Sequence, residues 1–88
     1  MKMTNETFNH ILTIFKKHEK EIKEYAPILK ANGKYNSFET RLSFDCFYKV
    51  ARFKDYRKKT DELIKRDGLK DVHIETGVKK ALRKLNVI

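Results

Sequence analysis

Tryptophan is absent from these 88 residues, cysteine and proline occur once each, and glycine occurs three times. Each shortage excludes something. The single cysteine, Cys46, rules out an internal disulfide and an all-cysteine metal site, and makes a reducing, intracellular setting the default expectation. With so few glycines and prolines, and sparse β-branched residues, nothing reads as a hairpin; "NGK" at Asn32 follows a helical pattern instead. No Gly-rich phosphate loop is present. Long apolar runs are missing too. The stretch "ILTIF" falls short of a secretory core of about 7–15 residues and of the roughly 20 residues that span a bilayer. Acidic residues are the last scarcity: 12 against 21 lysines and arginines, a net charge of +9. So one-sided a balance on one small domain, 1–88, favours polyanionic partners, nucleic acid first.

What is present is helical periodicity. Phe8, Ile11, Leu12, Phe15 and Ile22 form a stripe that Tyr25 and Ala26 continue. Thr4 or Asn5 suits its cap, and Glu6 sits in the first turn, where the helix dipole favours an acid. Pro27 is expected to end or kink this helix, and Gly33 to close "ILKANG". The next pattern, "NSFETRLSFDCFYKVARF", opens with Asn36 as cap and Glu39 three residues on. Leu42, Cys46, Val50 and Phe53 beside Phe44, Phe47 and Ala51 leave only a narrow strip of Arg41, Asp45, Lys49 and Arg52. A helix this apolar is buried on most sides. Further on, Thr60 suits the cap of a short helix through Leu63 and Ile64, which Gly68 stops in a Schellman manner. Asp71 is placed to cap a last helix with the arc Ile74, Val78, Ala81, Leu82 and Leu85. The expectation is an all-α bundle of four to five helices around a buried central helix at about 37–53. Whether that helix continues into 54–66 is open from the sequence.

Catalytic and metal chemistry find little support. Cys46 lies on an apolar arc, where packing rather than a reactive thiolate is the expectation. His10, His18 and His73 show no zinc spacing, and the carboxylates are not paired for acid–base work. No enzymatic activity, cofactor or metal is expected.

Two basic stretches stand out. The first holds Arg52, Lys54, Arg57, Lys58 and Lys59. The second lies on the last helix, where about 100° per residue puts Lys79, Lys80, Arg83 and Lys84 in one arc with His73 and Thr76. Cations for phosphates and short polar side chains near an N-terminal turn suit a helix that touches nucleic acid. The absence of a bulky aromatic anchor there argues against a membrane partner. "DELIKRDGLKDVHIETGV" matches a helix-turn-helix poorly, with Ile64 where a small residue belongs and Gly77 where an apolar one does. Gly77 itself has two readings: it lets the helix approach the central helix where a Cβ would clash, or it admits a phosphate or base edge.

Phe38, Glu39, Arg41, Phe44 and Asp45, followed by Asp71, His73, Ile74 and Thr76 and a basic helix, resemble segments of small uncharacterised proteins encoded by tailed bacteriophages. The likeness covers roughly the C-terminal half. It implies a phage or mobile-element origin, host cytoplasm as the location, and either nucleic-acid handling or inhibition of a host machine. The physical reading beside it is a network of Arg41, Asp45 and His73 pinning two helices together. The expected function is thus non-enzymatic docking on nucleic acid or a nucleic-acid-bound host complex. The alternative is a protein-directed inhibitor of a host defence enzyme, anti-CRISPR-like in logic, with Tyr35, Tyr48 and Tyr56 as candidate anchors.

Overall fold

Thr4 starts the first helix, α1 (Asn5–Lys17), by accepting a hydrogen bond from the Thr7 amide on its own hydroxyl. This is a computed structural model, and it describes residues 2–32, 38–52 and 54–88, apart from the side chains of Asn32 and Lys54. The sequence assignments to Gly33, Tyr35, Asn36 and Phe53 fall outside the described residues. Five α-helices and no strand occur among those that are described: α1, α2 (Glu19–Asn32), α3 (Phe38–Cys46), α4 (Arg57–Asp67) and α5 (Asp71–Lys84). The fold is the all-α bundle that the periodicity calls for.

The first apolar stripe does not make one helix. His18 leaves helical geometry (φ −110°, ψ 19°) and closes α1, its amide donating to Ile14 and Phe15. The break redirects the chain so that Ile22 and Ala26, on α2, are buried against α3, while Phe8, Ile11 and Phe15 stay on α1's core side. Pro27 sits inside α2 rather than ending it. It is exposed and lines an open groove of about 680 Å³, so the backbone bond that its missing N–H removes lies on the solvent side of the helix.

The central helix runs as α3 into a π-helical turn, Phe47–Ala51, closed by the Arg52 amide donating to Phe47 O at 2.9 Å. It packs on α1, α2 and α5, and buries Leu42, Ser43, Cys46, Phe47 and Ala51. Burial pushes the Cys46 thiol up to about 11, so it is protonated at neutral pH. The helix is not continuous with α4. It ends at Arg52, and a 3₁₀ turn (Lys54–Tyr56) leads into Arg57.

Thr60 is therefore not a cap. It is fully buried within α4, donating its hydroxyl to Ala51 O at 2.6 Å and meeting His10 Nε2 at 2.8 Å. Because the threonine proton is committed to Ala51, His10 must supply the other one from Nε2. Gly68 stops α4 as expected, in the left-handed region at φ 64°, with the Schellman pair Leu69 to Ile64 O and Gly68 to Lys65 O. Asn86 ends α5 the same way at φ 59°. The cap of α5 is Lys70, not Asp71: its amide donates to His73 Nδ1 at 3.0 Å. That bond takes His73 out of the expected network, and Arg41 and Asp45 meet only each other among the three, at 3.9 Å. Their separation on adjacent turns of α3 cannot pin α5. Arg83 reaching Glu39 at 3.4 Å makes the α3–α5 link instead.

Asp67 ties α1 to α4. Its carboxylate, 2% exposed, accepts from the Thr7 hydroxyl at 2.5 Å, the Thr4 hydroxyl at 2.9 Å and the Thr4 amide at 3.1 Å. Arg66 donates to the same carboxylate and to Glu6. Burial alone would raise this carboxyl, but the donors outweigh it and hold it at about 2 against an ordinary 3.8. A depressed folded value means stability that is complete above pH 3.8 and lost as pH falls through about 2. Asp67→Asn is expected to flatten the acid limb of a stability–pH curve. Asp67→Ala should cost about 1–3 kcal/mol at neutral pH by leaving the threonine donors unpaired. Urea denaturation across a pH series checks both, and an unchanged acid limb in Asp67→Asn would count against the assignment.

Candidate nucleic-acid interface

All five arginines of the chain are engaged in ion pairs: Arg41 with Asp45, Arg52 and Arg57 with Asp61, Arg66 with Glu6 and Asp67, Arg83 with Glu39. Lysines behave differently. Lys23 pairs with Glu19 and Lys79 with Glu75, but Lys58, Lys59, Lys65, Lys80 and Lys84 make no ion pair among the described residues. Arginine's fixed fork suits intramolecular carboxylates, whereas lysine stays hydrated and available.

This sorting divides the two expected basic stretches. In the first, Arg52 is committed to Asp61 at 2.8 Å and half-buried, and Arg57 leans on the same carboxylate at 3.8 Å. The Lys54 side chain lies outside the description, so the exposed Lys58 and Lys59 are what this stretch presents. In the second, the single arc splits. Lys79 and Arg83 turn toward Glu75 and Glu39, whereas Lys80 and Lys84 lie over the Phe8 ring of α1 at 5.1 and 5.6 Å. An acid on another helix, Glu39, is what breaks up a face that looks purely basic on the wheel. Thr76 is exposed and donates to Val72 O at 2.9 Å. In the α4–turn–α5 unit the two helices pack on α1 rather than chiefly on each other.

Three of the lysines left over flank α1. At about 100° per residue, Thr7 and His10 face α4 while Phe8 faces α5, directions about 130° apart through the buried Ile11 and Phe15. Both flanking helices thus pack on one side of α1 and leave the opposite arc uncovered by either. The exposed arc carries Asn5, Asn9, Thr13 and Lys16, with Glu6 and Lys17 at the edge. Lys80 and Lys84 line one flank. Lys59 lines the other, near enough to His10 that its charge joins burial in holding the imidazole below its ordinary value. Sequence reasoning missed the α1 arc, whose only signal is a run of uncharged polar residues on an amphipathic helix.

No group of three or more His, Cys, Asp or Glu side chains among the described residues is placed to hold a metal ion. No helix among them is long and apolar enough to cross a membrane. The chain matches no protein-family model, no curated protein and no solved structure.

Gly77 is explained by packing, though not against the central helix. A Cβ there would meet Met3 Cε and Sδ, each at 2.6 Å, and both residues are buried. The obstacle is the tip of a flexible side chain rather than a backbone, so the cost of overpacking is partly relieved by rotating Met3. Gly77→Ala is expected to change stability by less than about 1 kcal/mol, because displacing Met3 offsets a helix-propensity gain of ~1 kcal/mol. In a Met3→Ala background the same change should stabilise by that full gain. A four-protein denaturation cycle measures the difference. Equal effects in both backgrounds would exclude Met3 as the neighbour that matters.

Proposed function

We propose that this protein is a non-enzymatic nucleic-acid-binding protein that engages phosphates through the lysines flanking α1. The observation that carries the reading is the sorting of charge. Arginines are spent on internal carboxylates, and Lys59, Lys80 and Lys84 make no ion pair and stand on either side of the exposed arc of α1. Unpaired lysines over apolar or uncharged surface suit a polyanion, since each phosphate they neutralise releases a counterion. A phage or mobile-element origin, as the motif resemblance implies, is compatible with such a role.

One observation favours a second reading, docking on a host protein. Tyr48 is 47% exposed, stacks on Phe47 at 5.2 Å and Phe44 at 6.3 Å, and lies beneath Arg52 at 5.8 Å. A rigid aromatic beside an arginine is the composition of an interface anchor. Tyr56 is a weaker candidate, half-buried with its ring edge against His18.

Titration of labelled duplex DNA, single strand and RNA at two salt concentrations tests the first reading. Binding should weaken with salt, and Lys80→Ala and Lys84→Ala should each shallow the slope of log K on duplex DNA by about 0.9. Absence of binding to all three at ~50 mM salt would end it. Pull-down from host lysate after nuclease treatment tests the second. A partner that survives digestion and is lost with Tyr48→Ala supports protein docking.

A further inference from the structure

We propose that α1 is a groove-reading helix for duplex DNA, with Asn5, Asn9 and Thr13 turned to the base edges. This rests on the nucleic-acid reading above and names its substrate class. Three observations meet here. First, α4 and α5 pack on the side of α1 away from Asn5, Asn9 and Thr13, which leaves that face exposed, and a major groove about 12 Å wide admits an α-helix.

Second, that face carries short, uncharged hydrogen-bonding side chains on successive turns. The Asn5 and Asn9 amides make no hydrogen bond among the described residues. Thr13 donates its proton to Asn9 O at 2.7 Å, leaving its oxygen free to accept and its methyl free for contact. An asparagine amide matches adenine N6 and N7 in two bonds, and a threonine methyl can meet the thymine methyl. Successive members of the row stand ~6 Å apart along the axis, close to two base steps of about 3.4 Å.

Third, the charges are placed to support entry. Lys59 on one flank and Lys80 and Lys84 on the other can take phosphates bordering the groove. The only carboxylate on α1, Glu6, is neutralised by Arg66. The deep, narrow major groove of duplex RNA would exclude the same helix.

The experiment is selection from a random duplex DNA library with the full chain, followed by titration of the selected site, an unrelated duplex and the RNA duplex of the selected sequence. The expected result is a base preference that includes adenine, with the RNA duplex bound about tenfold or more weakly. Asn9→Ala should lose about five- to hundredfold on the selected site while keeping wild-type affinity and salt slope on the unrelated duplex. Lys84→Ala should weaken both DNA duplexes alike. As Asn9 is exposed and unpartnered, the melting temperature of Asn9→Ala should match wild type, separating lost recognition from lost folding. Binding without base preference, equal affinity for the RNA duplex, or selected-site affinity that neither Asn5→Ala nor Asn9→Ala alters would each overturn the groove-reading role and leave phosphate binding standing. No binding to any nucleic acid would remove both.

Discussion

A carboxylate at the end of α4 fixes where α1 begins. Asp67 gathers the Thr4 amide and two threonine hydroxyls, so the start of the first helix is held to the end of the fourth. On the other side, Met3 fills the space left by Gly77 on α5. Met3 and Thr4 therefore bridge α5 and α4, and α1 packs against both. Its orientation, the stand of His10 against Thr60 and the position of Phe8 beneath two lysines all follow from that seating. Buried polar groups of this kind are costly when partly satisfied, and among the described residues no buried side-chain nitrogen or oxygen lacks a partner.

Much of the fold was legible because its cues are local. The Thr4 cap, the glycine stop at Gly68 and the apolar arc of α5 each depend on a few neighbouring residues. What escaped reading depends on residues far away. The break at His18 interrupts a stripe whose spacing is sound on both sides, and only the position of α3 explains the change of direction. Thr60 looks like a cap by type, yet its hydroxyl is claimed by Ala51 on another element. Pro27 reads as a helix end or a kink, and nothing near it in sequence says that its ring faces water.

The site was less legible than the fold. A wheel sorts one helix's side chains into faces but cannot supply the acids that other helices bring, so Arg83 looked available until Glu39 was placed beside it. The uncharged row on α1 resembles any solvated face in one dimension. It gains meaning only from the lysines that α4 and α5 set on either side. Of the two readings of Gly77, packing names the right kind of cause but the wrong neighbour, because Met3 lies so far from it in sequence.

The seating of α1 also bears on how the molecule is made. Its tie to Asp67 joins residues 60 and 63 apart, and Phe8 waits for Lys80 and Lys84. During synthesis from the N-terminus, α1 emerges long before either partner leaves the ribosome, and a lone amphipathic helix of this length is marginal in water. The lysine-flanked arc is thus among the last features to form. Closing so long a loop before its contacts reward the chain should make folding slower than in bundles of sequence-adjacent helices. A truncated translation product would carry the residues of α1 and not the surface they compose.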